Sequence, residues 1–284
     1  MDAKALILVT GATGTQGGAV ARELLRRGYQ VRGLTRHPAS ERARALAAEG
    51  VAMVAGDFDD PDSLERAMHG AYGVFAVTDF WEHGYAREVV HGKALVDAAK
   101  RAGIHHFVYT SVASADQATG IPHFDSKYEV ERYLAASGLS WSVVRPVSFM
   151  DNWRWRREEI LAGEYRDPGA PEQRHQWIAA SDIGFFVGEA FEHPDEWLGR
   201  ALDIAGDELS LAELAVLLSD VTGRPVRYVQ IPWAEYEAGN GPELTQMHRW
   251  FAGVGYGVDI AALRKRYPGL ITARQYLQQL FRRP

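Results

Sequence analysis

The stretch VTGATGTQGG, residues 9–18, constrains the fold more than any other part of the chain. An apolar run, KALILVT (4–10), precedes it, and a helical pattern, GGAVARELLRRG (17–28), follows it. Gly11, Gly14 and Gly17 form a GxxGxxG pattern. Such a turn demands glycine: one permits the tight turn, one lets backbone approach a pyrophosphate, and one lets helix and strand pack closely. The helix N-terminus then offers free N–H groups and a partial positive charge to phosphate. A glycine triplet alone could be a turn with no ligand. Set between a strand and a helix, it predicts a dinucleotide site.

The first half repeats this strand–helix rhythm. Strand patterns occur at 29–36, 51–57, 72–79, 104–112 and 139–146, and helical patterns at 40–50, 60–70 and 85–103. Alternation of this kind predicts parallel βαβ units in a doubly wound sheet, an α/β fold. Right-handed crossovers then put helices on both faces. After Pro146 the rhythm breaks, and residues 147–180 are rich in Trp, Arg, Pro and Gly. Helix and strand signals return at 181–194, 200–206 and 210–232. The pattern predicts a nucleotide-binding domain over 1–150 and a smaller C-terminal α/β substrate domain over 151–180 and 206–284. Segment 181–205 is open to rejoining the first domain.

Composition narrows the function. A formal net charge of −6 over 284 residues disfavours nucleic acid and anionic membranes as general partners. The absence of cysteine excludes disulfides, thiolate metal sites and cysteine nucleophiles, and is compatible with a reducing, cytoplasmic setting. No apolar run approaches the roughly 18 residues of a membrane span. The opening apolar run is too short for a signal peptide. The histidines, including His105 and His106, lack metal-ligand spacing, so no metal is assigned.

The second strand ends GLTRHP, placing Thr35 and Arg36 where an NAD site usually carries an acid. A guanidinium can pair with a 2′-phosphate that a carboxylate would repel, so NADP(H) is favoured over NAD(H). The alternative is that Arg36 is a solvated surface residue. Asp57 and Phe58, ending the third strand, are placed to border an adenine ring; a helix-capping acidic turn explains the acid equally well.

The segments VTGATGTQGGAV, TRHP, GDFDDPDSLERAMHGAYGVFAVTDFWE, HFDSKYEVERYL and SVVRPVSFMDN together resemble the NmrA-like family of atypical short-chain dehydrogenases, and within it the NADPH-sensor branch. The resemblance implies a Rossmann-type domain, a small C-terminal α/β domain and NADP(H). It places Thr13, Gly14, Thr15, Gln16, Gly17 and Gly18 at the pyrophosphate and Arg36 at the 2′-phosphate. Val77, Thr78 and Asp79 would line the cofactor, Lys127 would contact the nicotinamide ribose, and Pro146 to Asn152, Phe149 among them, would lie beside the nicotinamide. It does not imply one function, since the family holds both reductases and redox-sensing regulators.

The superfamily's usual proton donor is a tyrosine four residues before the lysine. Here PHFDSKYEVERY puts His123 in that place. Its ordinary pKa of about 6.5 suits proton donation, yet it could equally pack in the turn after Pro122. Tyr128 follows the lysine directly and does not share its helix face. Ser111 is either a substrate contact or a polar strand end. MDNWRWRREEILAGEY (150–165) reads as a helix with an Arg154–Glu158 pair; Trp153 and Trp155 are candidate pocket walls, or core. FWEHGY (80–85) offers a further aromatic wall. The expected function is NADPH-dependent reduction of a small aromatic or conjugated carbonyl or quinone substrate, with Lys127, His123 and Ser111 as candidate catalytic groups. The alternative is a non-catalytic NADP(H) sensor acting through a protein partner. A homodimer is left open.

Overall fold

The structure, a computed structural model, describes residues 4–282. The chain divides into two compact units, one running to Pro146 and including Ala180–Asp203, the other formed by Val147–Ala179 and the chain from Ile204 onward.

The first unit alternates β1 (Lys4–Val9), α1 (Thr15–Arg26), β2 (Tyr29–Thr35), α2 (Glu41–Ala48), β3 (Ala52–Ala55), α3 (Pro61–Met68), β4 (Gly73–Ala76), α4 (Phe80–Arg101), β5 (His106–Thr110), α5 (Pro122–Ala136) and β6 (Trp141–Pro146). The later segment adds α7 (Ala180–Glu192), α8 (Pro194–Trp197) and β10 (Arg200–Ile204). The sheet order is β10-β6-β5-β4-β1-β2-β3, and every pairing from β3 to β6 is parallel. Parallel strands are covered on both faces, which is why they read as unbroken apolar runs. Ile7, Leu8 and Val9 in β1, and Val74, Phe75 and Ala76 in β4, are fully buried. The chain steps from β1 out to β3, then returns to lay β4 on the other side of β1. At such a reversal the strand C-termini open a crevice.

Local chemistry sets the helices. Ser40 caps α2 by accepting from the Ala43 N–H at 3.3 Å, and Asp60 caps α3, with Pro61 at its first position, by accepting from Ser63 at 3.1 Å. Asp79 caps α4 through Glu82, and the helix kinks at Gly84, whose φ is 72°. Beyond the kink, Glu88, Gly92, Leu95 and Ala99 fall on one buried face, spaced three or four apart. Helix α7 packs on α1 at Gly184, where a Cβ would lie 2.9 Å from the Ala19 carbonyl oxygen. Arg27, its side chain nearly buried, meets Glu23 at 2.6 Å, Glu189 at 2.8 Å and Glu192.

The second unit comprises β7 (Ser148–Phe149), α6 (Arg157–Leu161), β8 (Glu164–Asp167), β9 (Arg174–Ile178), β11 (Asp207–Ser210), α9 (Leu211–Thr222), β12 (Arg227–Gln230), α10 (Trp233–Gly253), α11 (Ile260–Arg266) and α12 (Ala273–Leu280). Its sheets are β11-β9-β7 and β12-β8. Capping boxes open α9 at Ser210/Glu213 and α12 at Thr272/Gln275.

Two expectations are corrected here. Residues 150–165 are not one helix: Met150–Arg156 is a 3₁₀ run, followed by the short α6. With three residues per turn, Arg154 reaches Asp151, at 3.4 Å, rather than Glu158. Trp153 is no pocket wall. It is 2% exposed in this unit's core, its ring 5.4 Å from Trp177 and 6.0 Å from Tyr276. Trp155 is 85% exposed. Among the described residues, no helix is long and apolar enough to cross a membrane.

Candidate functional site

The site grows from the reversal between β1 and β4. Thr10, directly after β1, donates its hydroxyl to the Val77 carbonyl at 3.1 Å and accepts from the Val77 N–H at 2.8 Å. This side-chain staple holds the glycine loop against the segment after β4. Gly11 turns there at φ 57°, and a Cβ on it would lie 2.7 Å from the Val77 Cγ1. A Cβ on Gly17 would lie 2.3 Å from the Gly11 oxygen and 2.7 Å from the Thr10 oxygen. Only glycine lets the first turn of α1 press this closely on the loop. Gly14 is the N-cap of α1 and has no side chain to occupy the first-turn N–H groups. Thr13 is half-buried and Thr15 exposed, while the Gln16 amide donates to the Thr110 hydroxyl at the end of β5. The loop is thus tied to both β4 and β5, with an uncapped helix end between them.

Arg36 follows β2 and is half exposed. Its guanidinium pairs with Glu82 in the first turn of α4 at 2.8 Å. Asp57 shapes a turn: its carboxylate accepts from the Asp59 N–H at 3.0 Å, and its own N–H donates to the Ser63 hydroxyl at 3.0 Å. The capping acid of α3 is Asp60. Phe58 packs edge-on against His91, with ring centroids 5.4 Å apart.

Beyond Val77 lies a polar network that the sequence reading missed. Glu88 of α4 is fully buried. Its Oε1 accepts from the Thr78 hydroxyl at 2.8 Å and from the Lys127 ammonium at 2.6 Å, and its Oε2 accepts from the Ser126 hydroxyl. Thr78 also meets the Tyr109 hydroxyl at 3.3 Å. Tyr109 is fully buried, and burial, with Glu88 nearby, raises its phenol pKa well above 10.0. Lys127 keeps 15% of its side chain exposed while its ammonium is held by Glu88.

His123 lies one turn before Lys127, at the start of α5, and is 6% exposed. Its ring is enclosed by Phe80 at 5.5 Å, Trp81 at 5.0 Å and Phe124 at 4.9 Å. Burial, and next the Lys127 charge, push its pKa down to about 4. That direction disfavours the imidazolium that the expected acid role would use at neutral pH. Ser111, 5% exposed at the end of β5, sits beside the Glu131 carboxyl without a well-aligned hydrogen bond. Trp81 is 60% exposed, against the caged His123. Of the two other expected contacts, Pro146 ends β6 and accepts from the Ala113 N–H at 3.0 Å, whereas Phe149 lies in β7 of the second unit, paired in register with Ile178.

The second unit has an open groove of about 600 Å³ bordered by Leu209, Val216, Leu217 and Arg274. Its polar members are already engaged: Glu213 and Thr272 cap helices, Asp207 accepts from the Ala273 N–H at 2.8 Å, and Arg274 meets Asp220 at 3.1 Å. Its charged groups are committed to these caps and pairs, and none of its lining residues belongs to the Lys127 network.

The chain is 36% identical over 235 residues to an NAD(P)H azoreductase of Xenophilus azovorans, covering 80% of this chain and 77% of that protein. The solved structure of NmrA, a negative transcriptional regulator in complex with NADP, matches with a TM-score of 0.81 and 25% identity over 99% of this chain and 96% of that one. An NADPH-dependent quinone oxidoreductase of Escherichia coli shares the fold, with a TM-score of 0.84 and 24% identity over 97% of this chain and 100% of that one. The model of the NmrA-like family matches residues 3–271, so the chain belongs to the NmrA-like family.

Proposed function

We propose that the protein is an NADP(H)-dependent oxidoreductase that reduces a flat, conjugated acceptor such as an azo compound or a quinone. Its likeness to an NAD(P)H azoreductase supports the reaction class. The observation that carries the reading is Lys127, whose ammonium is fixed on buried Glu88 in a network joined through Thr78 and Val77 to the glycine loop.

The chain's own groups fit the cofactor. The uncapped first turn of α1 would take the pyrophosphate. Arg36 would exchange Glu82 for the 2′-phosphate, a charge-assisted pairing open to NADP(H) and not to NAD(H). Lys127 would hold the nicotinamide ribose. When bound, the cofactor supplies the hydride. The exposed indole of Trp81 offers a flat apolar face for an aromatic acceptor. A neutral His123 contributes packing rather than a proton, so the product's proton comes from Lys127 or from water.

A second reading is a nucleotide-binding regulator. It is favoured by the histidine at the tyrosine position and by the likeness to NmrA. NADPH oxidation by the purified protein, against a panel of azo dyes, quinones and aldehydes, separates the two. Saturable turnover is expected with at least one acceptor. Tight NADPH binding with no turnover on any of them overturns the oxidoreductase reading.

A further inference from the structure

We propose that Glu88 is a positioning residue that sets the Lys127 ammonium toward the nicotinamide ribose; the inference rests on the NADP(H) reading above. Three observations meet at this carboxylate. It is fully buried on the apolar face of α4, where an acid is costly. Both its oxygens are engaged, Oε1 by Thr78 and Lys127 and Oε2 by Ser126. Its charged partner is the most exposed member of the network, with 15% of its side chain exposed.

A buried ion pair is a poor source of stability, because desolvation offsets most of the attraction and a well-packed apolar pair does as well. What the pair does supply is position. Lysine carries four rotatable bonds and a strongly hydrated charge, and left free it samples many rotamers. An acceptor at 2.6 Å from behind selects one of them. Thr78 ties the same carboxylate to the segment after β4, which Thr10 staples to the glycine loop. Loop, strand end and ammonium are therefore held in one frame. Binding of the nucleotide then has less side-chain entropy to overcome, and the ribose is presented in one orientation. Tyr109, fully buried in β5, meets the network through the Thr78 hydroxyl.

Glu88→Gln removes the charge but keeps shape and hydrogen bonding. The amide oxygen can still accept from Thr78 and Lys127, and the amide N–H₂ can donate to a rotated Ser126 hydroxyl. Glu88→Asp keeps the charge on a shorter stem. Each would be measured alone, with Lys127→Met, and in the double variants, after circular dichroism confirms folding. Three readouts are needed: acylation of Lys127 by acetic anhydride in the free protein, NADPH affinity, and kcat against KM with any acceptor found.

Glu88→Gln is expected to speed Lys127 acylation about threefold or more, to weaken NADPH about tenfold, and to lower kcat about tenfold with the acceptor KM within threefold. Glu88→Asp should fall between it and the parent. In the Lys127→Met background, Glu88→Gln should have no further effect on binding or turnover, because the two act as a unit. Equal losses in both backgrounds, or parent-like acylation and NADPH affinity in Glu88→Gln, would overturn the proposal. A parent protein that oxidises no NADPH overturns the oxidoreductase reading only, and acylation and binding then decide the role of Glu88.

Discussion

Lowering the pH from about 7 to about 5 tests the buried histidines, and His106 gives the cleanest case. It opens β5 and is 1% exposed, packed edge-on against Phe191 at 5.2 Å. Its Nε2 lies 2.8 Å from the Ser142 Oγ, and Ser142 donates its own proton to the Trp197 carbonyl at 2.9 Å. The ring hydrogen must then sit on Nε2, donated to Ser142. Nδ1 is buried and has no hydrogen-bond partner among the described residues. A second proton would sit on Nδ1 with nothing to receive it, and burial lowers the pKa from 6.5 to about 4. The sign follows from linkage. A base whose folded pKa is depressed binds fewer protons folded than unfolded between the two values. Its contribution is complete above pH 6.5 and is lost as pH falls toward about 4. At about 1.4 kcal/mol per pH unit, the residue accounts for about 3 kcal/mol across that window, nearly one proton's worth of slope. His106→Gln keeps a donor for Ser142 and cannot titrate. Urea unfolding followed by tryptophan fluorescence between pH about 7 and about 5 should show a shallower loss in the variant, by about 1 kcal/mol per pH unit. Identical slopes would refute the argument. His123 and His175, both also lowered to about 4 by burial, keep their share of the slope in both proteins.

Three further predictions follow from the geometry. Gly17→Ala puts a methyl 2.3 Å from the Gly11 oxygen, a backbone atom that cannot swing away, so NADPH affinity measured by fluorescence titration should fall more than about tenfold, or about 1.4 kcal/mol. Arg36→Ser removes one charge-assisted phosphate pairing; NADPH should weaken by about 1.5–3 kcal/mol while NADH changes little, which parallel titrations check. Trp153→Ala empties the core of the second unit and should cost about 3–5 kcal/mol of stability in urea unfolding, which a surface tryptophan such as Trp155 should not.

The first unit is largely readable from sequence because its strands are buried on both faces and so appear as plain apolar runs, as in KALILV and GVFA. Ser40 marks a helix start through a bond to the residue three places on, which a linear reading captures, whereas α4 starts at Phe80 behind its Asp79 cap, ahead of the pattern at 85–103, because the Gly84 kink interrupts the helical period. Lys127 was legible from its place on α5, but its partner was not. Glu88 is 39 residues away, and only the packing of α4 on α5 brings them together. A signal was present: Glu88 stands in the same stripe as Gly92, Leu95 and Ala99, an acid where the period calls for an apolar residue. His123 is a different case. Its spacing to Lys127 left it open between an acid and a packed turn residue, and the rings that bury it include Phe80 and Trp81 from a remote helix, which no local pattern announces. The Arg154–Glu158 pair misled because a 3₁₀ run was read with the period of an α-helix, and Trp153, open between wall and core, falls in the core.

The central claim is that Lys127, held by Glu88, serves NADP(H)-dependent reduction. The most direct measurement is a single turnover: parent protein and Lys127→Ala, each loaded with saturating NADPH, mixed with an azo or quinone acceptor while NADPH absorbance is followed. A saturable decay is expected in the parent, slowed about a hundredfold or more in the variant even with the cofactor fully bound. Equal decay rates in the two proteins would contradict it.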